Sequence, residues 1–333
     1  MKGGVIPPAG GRRMTQRARL LLWSSPARLL KAKLLLASCV VFAVVLIMGL
    51  AFSAAIWPHH FPVDGQPQAR RGYTILINTF KRNDLLKQSV EHFASCSRVD
   101  SIHIIWSEAD PPSDFLLACL RRVAHRNSRD GRIVEIEFDL NAEDSLNNRF
   151  KDIPELKTDA VLSVDDDVLF PCASVDFAFG VWQSAPAAMV GFVPRMHWLY
   201  RTSDGEEYYK YGGWWTVWWT GTYSMVLTKA AFFHRKYLGL YTNHMPAAIR
   251  DYVTKNRNCE DIAMSFLVAN ETASPPVWVK GAIREVGSSG ISSLGSHNER
   301  RSQCVKDFAA LYGRMPLVAT TVKAIDGRRS WLW

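Results

Sequence analysis

The stretch that most constrains this chain is Val161-Leu162-Ser163-Val164-Asp165-Asp166-Asp167-Val168-Leu169-Phe170. A mostly apolar run meets three adjacent aspartates, then resumes. A short run of this kind reads as a buried β-strand. The three carboxylates at its end repel one another, and burying such charge without partners is costly. Something positive must sit there. Carboxylate oxygens suit hard divalent ions such as Mn²⁺ and Mg²⁺. In open α/β sheets, ligands bind beyond the carboxyl ends of the strands. A strand ending in Asp-Asp-Asp therefore points to a metal-assisted site for a phosphorylated ligand. A solvated acidic turn is the bland alternative, and the apolar flanks count against it.

The chain around this strand alternates between two periods. Strands are expected at residues 72–78, 101–106, 133–138 and 161–164. Helices are expected between them, at 85–95, at 113–122 and starting at 146–150. This alternation argues for a mixed, mainly parallel sheet covered on both faces, an α/β fold. The second half is less regular. It reads as short strands at 190–193 and 221–227, helices at 230–240 and 260–270, and a small-residue loop at 288–296.

Charge divides the chain. The formal net charge is +9, but residues 1–33 hold eight basic side chains and no acidic one. The remaining 300 residues are left with a formal +1. A near-neutral body gives little electrostatic support to nucleic-acid binding. Residues 34–57 follow the basic tail without a single charge. About 20 apolar residues suffice to span a bilayer as a helix. The flanking Lys31 and Lys33 place the tail in the cytosol and the rest across the membrane. A cleaved signal peptide would have a shorter apolar core. The expected layout is a cytosolic tail (1–33), a signal anchor (34–57), a stem (58–70) and one catalytic domain (71–333).

A sugar-nucleotide transferase needs a metal site, a base-and-ribose pocket, cations at the phosphates and a carboxylate near the anomeric carbon. Asp165, Asp166 and Asp167 can serve the first need. Arg82, after the first strand, and Arg149, before the fourth, can reach a diphosphate as bidentate donors. Asp261 opens an expected helix, where a carboxylate is also simply favoured by the helix N-terminus. Trp214, Trp215, Trp218 and Trp219 can stack on sugar rings or a lipid-linked acceptor, or partly belong to the core.

Five segments together resemble the exostosin-type glycosyltransferases: residues 78–82 (NTFKR), 146–150 (LNNRF), 164–167 (VDDD), 258–262 (NCEDI) and 301–304 (RSQC). Within that family the chain is most similar to the short, membrane-anchored plant members. The likeness runs through residues 70–74, 143–150, 213–227 and 255–266. The resemblance implies a GT-A type nucleotide-sugar-binding fold, with Asp167 and Asp165 at Mn²⁺, or Mg²⁺ in its place. It implies that Arg82 and Arg149 bind the nucleotide; Asp165, Asp166, Trp214 and Trp215 stand beside them as further substrate-binding candidates. It implies that Asp261 and Arg301 flank the transferring sugar, that Cys259 bonds to Cys304, and that configuration is retained. Ser107, and Asp144 or Ser145, stand at base-and-ribose positions where the animal members carry Asn. That departure agrees with a donor other than a UDP-sugar.

The plant members imply a Golgi enzyme moving mannose from GDP-mannose to the glucuronosyl headgroup of inositol phosphorylceramide. A lumenal domain would have five of the six cysteines in an oxidising space. It would also expose the sequon at Asn270 to glycosylation. Two other readings stay open: a UDP-N-acetylhexosaminyltransferase, and a non-catalytic carbohydrate-binding protein. Whether Asp261 attacks the anomeric carbon or only stabilises positive charge also stays open, as does the oligomeric state.

Overall fold

The computed structural model describes residues 26–56, 72–127, 133–286 and 297–327. The chain divides into two compact units, residues 1–67 and 68–333. In the first, helix α1 spans Pro26–Ile56. Proline suits a first helical position, where its missing N–H would have no partner. Within α1, Leu30–Gly49 is long and apolar enough to cross a membrane. The expected small-residue loop at 288–296 lies outside the described residues.

In the second unit, β1 (Tyr73–Thr79), β2 (Val99–Trp106), β3 (Glu135–Leu140) and β4 (Ala160–Asp165) alternate with α2 (Asn83–Ala94) and α3 (Asp114–Asn127). A five-residue 3₁₀ turn, Leu146–Phe150, precedes β4. The remaining sheet strands are β6 (Val190–Gly191), β10 (Ala230–His234), β11 (Val277–Val279) and β13 (Lys323–Ala324). Their order is β13-β11-β6-β10-β4-β1-β2-β3. Pairing is parallel at β1–β2, β1–β4 and β2–β3, and β10 runs antiparallel to both its neighbours. This is the mixed, mainly parallel α/β sheet that the alternation predicts.

Successive strand side chains point to opposite faces, and two cores form accordingly. Ile75, Ile77, Leu162, Val164 and Phe232 pack on one face, with Leu86, Val90 and Phe93 of α2. Leu76, Val161 and Phe233 pack on the other, with Ile262 and Phe266 of α8 (Glu260–Thr272) and Phe308 of α9 (His297–Leu311).

Three expectations of local structure are corrected. Residues 230–234 form the buried strand β10 instead of a helix, which begins only at Lys236. Ala-Ala-Phe-Phe is buried on both faces of the sheet, and such a run has no helical or strand period to read. Residues 146–150 stop after one 3₁₀ turn. Of residues 221–227, only Met225–Val226 is strand β9. The sequence also gave no signal for the hairpin β7 (Pro194–Arg201) and β8 (Glu207–Gly212), or for α5 (Trp214–Thr220).

Candidate active site

The triplet lies where β4 ends. Asp165 is the last residue of that strand, in register with Asn78 of β1. The Asp166 N–H donates to the Asn78 carbonyl at 3.2 Å, so the turn after β4 crosses toward β1. The three side chains then diverge. Asp166 is fully buried; Thr79 Oγ1 donates to its Oδ2 at 2.7 Å, and Arg82 Nη2 lies 2.5 Å from its Oδ1. Burial pushes the Asp166 carboxyl up to about 6, against the opposing pull of Thr79 and Arg82. Asp165 and Asp167 stay reachable, at 28% and 20% side-chain exposure. The other Arg82 nitrogen, Nη1, lies 2.9 Å from Asp167 Oδ2. Arg82 follows Lys81, which has φ +54°. A non-glycine residue rarely takes that conformation, and such strain gathers at functional sites.

Arg149 occupies the centre. Its side chain is 3% exposed and pairs with Asp165 through Nη2, while Nη1 lies 3.5 Å from Glu260 Oε1 and 3.4 Å from Thr228 Oγ1. Burial alone would lower the guanidinium pKa, but Asp165 and Glu260 outweigh it and hold the cation. Glu260, beside Asp261 and deeply buried, is pushed up to about 7 by desolvation and then by the Asp261 charge.

Asp261 sits in the first turn of α8. Its Oδ1 accepts the Ile262 N–H at 2.8 Å, and its Oδ2 lies 2.8 Å from Arg301 Nη1. Arg301 also donates to the Tyr211 hydroxyl at 3.2 Å. Desolvation would raise the Asp261 carboxyl, but Arg301 and the Ile262 amide overcome it and hold the group low and charged. Arg301 lies on α9, one turn before Cys304, which is bonded to Cys259 just ahead of Asp261. The bridge therefore clamps both ends of the Asp261–Arg301 pair. Cys259 has φ +74° and Arg257 has φ +47°, so this turn is strained as well.

The other candidates are more scattered. Ser107 is buried after β2 and accepts from Asn148 Nδ2 at 2.9 Å. Asp144 pairs with Arg257 at 2.5 Å. Ser145 caps the 3₁₀ turn, accepting the Asn147 N–H at 3.3 Å, and lies 2.8 Å from Thr254 Oγ1. Trp214 packs edge-on against Trp278, and Trp215 is largely exposed. Asn270 lies in the last turn of α8, its side-chain oxygen accepting from Arg314 at 2.7 Å. Sequence reasoning passed over Glu260, Thr79, Tyr211 and a second disulfide, Cys96–Cys172. Glu260 and Thr79 stood inside quoted motifs, but nothing in the sequence marked Tyr211.

The Asp165 and Asp167 carboxylates suit a hard divalent cation by donor chemistry and by exposure; Asp166 is turned away.

Residues 73–331 match the model of the glycosyl transferase family 64 domain, and the chain belongs to that family of glycosyltransferases. It is 59% identical over 301 residues to glycosylinositol phosphorylceramide mannosyl transferase 1 of Arabidopsis thaliana, covering 90% of each chain. It is 32% identical over 257 residues to mouse exostosin-like 2, covering 74% of each. Human exostosin-2 is likewise 32% identical, over 75% of this chain and 33% of that protein. Among solved structures, a Pyrobaculum calidifontis mannosyltransferase in complex with GDP-Man and Mn²⁺ aligns at TM-score 0.47 and 13% identity. It covers 80% of this chain and 71% of that one, a likeness too low to bear on the site.

Proposed function

We propose that this chain transfers mannose from GDP-mannose, with retention, to the glucuronosyl headgroup of a glycosyl inositol phosphorylceramide. The observation that carries the site reading is the Arg149 bridge. One buried guanidinium touches Asp165 at the strand end and Glu260 beside Asp261. The diphosphate end and the sugar end thus lie within one side chain's reach. The choice of donor and acceptor rests on the relative that is 59% identical over 90% of its length.

Asp167 and Asp165 would hold Mn²⁺, or Mg²⁺ in its place. A cation bound there supplies Lewis-acid neutralisation of the diphosphate leaving group. Arg82 and Arg149 add positive charge beside the phosphates. Ser107, Asp144 and Ser145 belong to the base-and-ribose side. Asp261, kept ionised by Arg301, faces the anomeric carbon as positive charge develops there, and acts as an electrostatic stabiliser. Trp214 and Trp215 lie on the acceptor side. Residues 1–33 are cytosolic, 34–57 anchor the chain in the Golgi membrane, 58–70 form a stem, and 71–333 act in the lumen with Asn270 glycosylated.

The test uses the full chain in detergent, with labelled GDP-mannose, a glucuronosylated inositol phosphorylceramide acceptor and Mn²⁺. An α-linked mannosyl lipid is expected, and a chelator should abolish it. Transfer from a UDP-N-acetylhexosamine alone would favour the hexosaminyl alternative. Nucleotide-sugar binding without turnover of any donor would favour a carbohydrate-binding protein.

A further inference from the structure

Helix α5 is built unlike any other described element of the catalytic unit. Its sequence is Trp214-Trp215-Thr216-Val217-Trp218-Trp219-Thr220, and only Val217 is buried. Trp215 is 76% exposed, Trp218 61% and Trp219 82%. Spacings of three and four put these rings on one side of a helix. Trp215 meets Trp218 edge-on at 5.8 Å, and Trp218 meets Trp219 at 6.2 Å. Monomeric soluble proteins seldom present so much contiguous apolar surface without a partner.

Two further observations say what the partner is. Between residues 208 and 228 the only charged side chain is Lys210. The aromatic patch continues from Trp214 to Trp278, whose ring carries the exposed Lys323 ammonium 5.2 Å from its centroid. Along the chain the knuckle is aromatic and without acidic residues, and a cation, Lys323, adjoins it through Trp278. Tryptophan prefers the interface of a bilayer, where its ring is half apolar and its N–H stays wet. Basic residues favour anionic headgroups there. The same chain carries a helix able to span a bilayer. A membrane is thus the apolar surface present at the highest effective concentration.

The knuckle is also joined directly to the site. Tyr211, which holds Arg301 against Asp261, lies three residues before Trp214. We propose that Trp215, Trp218 and Trp219 dock the catalytic unit into the headgroup region of an anionic bilayer, so that a lipid acceptor is mannosylated without leaving it. The docking follows from the exposed face; the acceptor clause rests on the proposed function.

Two arms test this. In the first, the full chain carrying Trp23→Phe and Trp57→Phe is placed in nanodiscs of brominated phosphatidylcholine and phosphatidylinositol. Lipid quenching of tryptophan emission should fall at least twofold when Trp215, Trp218 and Trp219 are also changed to Phe, which keeps the rings and the fold. Equal quenching overturns the docking whether or not the chain transfers mannose. In the second, Trp218→Ser with Trp219→Ser is assayed on bilayer acceptor and on the free headgroup released from ceramide. The KM for the bilayer acceptor should rise about tenfold more than that for the free headgroup. An equal rise for both would mean stacking on sugar and would overturn the proposal, as would no rise for either. A dimer that dissociates on the same substitutions, with quenching unchanged, would assign the face to a second copy instead.

Discussion

The two ends of the site are constructed differently. At the strand end, Asp167 meets an arginine whose side chain is 36% exposed, so ligands can reach both. At the sugar end, Asp261 and Arg301 face each other with 6% and 8% exposure. A disulfide starts two residues before Asp261 and ends three after Arg301, whereas the bridge nearest the first pair, Cys96–Cys172, stands 14 residues from Arg82 and five from Asp167. An exposed ion pair contributes little to stability and rearranges easily, whereas a buried one is expensive to break. We read the contrast as a division of labour: an exchangeable end for metal and nucleotide, and a preformed end for the reacting sugar.

Removing the group that joins the ends should have the largest effect. Arg149→Ala leaves Asp165 and Glu260 without their shared cation. A loss of roughly 3–5 kcal/mol in stability is expected, as for other broken buried pairs. Denaturant titration reads this, and turnover should become undetectable. Arg149→Lys keeps the charge but cannot span both carboxylates, so it should recover stability better than activity.

The two disulfides offer a matched control. Cys259–Cys304 and Cys96–Cys172 close loops with sequence separations of 45 and 76. On a chain-entropy estimate each is worth about 4 kcal/mol. Replacing either pair by serine should lower Tm comparably. Only the Cys259→Ser/Cys304→Ser chain should also lose turnover, by about tenfold, because a small misplacement of Asp261 costs rate. Equal kinetic losses from both pairs would mean that the clamp has no special bearing on the sugar end.

The smallest effect concerns pH. His197 is buried with Nδ1 2.7 Å from Ser224 Oγ, and burial lowers its pKa to about 4. The unfolded chain takes up that proton below about pH 6.5 and the fold does not, so stability drains away as pH falls from 6.5 to 4. The loss is about 3 kcal/mol. His197→Gln cannot titrate. Its Tm deficit against the parent chain should therefore shrink between pH 7 and pH 4; a constant deficit would contradict this.

Legibility in the sequence follows the same division. The strand end is local: β1, β4 and the arginine after β1 each announce themselves through apolar runs and polar breaks. Strand β10 was misread because an apolar run buried on both faces has no period. The sugar end is assembled from distant chain segments. Asp261 finds Arg301 40 residues away, and Arg149 finds Glu260 111 residues away. No local pattern reports such pairings, so family likeness supplied Asp261 and Arg301, and Tyr211 went unseen. The tryptophans of α5 were conspicuous in the sequence, but their exposure follows only from Val217 alone being turned inward.

The division of labour is tested most directly by calorimetric binding of GDP with Mn²⁺ to Asp167→Asn and Asp261→Asn, beside turnover with GDP-mannose. Asp167→Asn should lose nucleotide affinity and turnover together, because a charge has left the metal site. Asp261→Asn keeps the size of the side chain and loses only the charge. It should bind GDP and Mn²⁺ like the parent chain while turnover falls by roughly 10²–10³, the signature of an interaction made in the transition state. Loss of nucleotide binding in Asp261→Asn, or turnover within a few-fold of the parent chain, would contradict the account and make Asp261 a structural partner of Arg301.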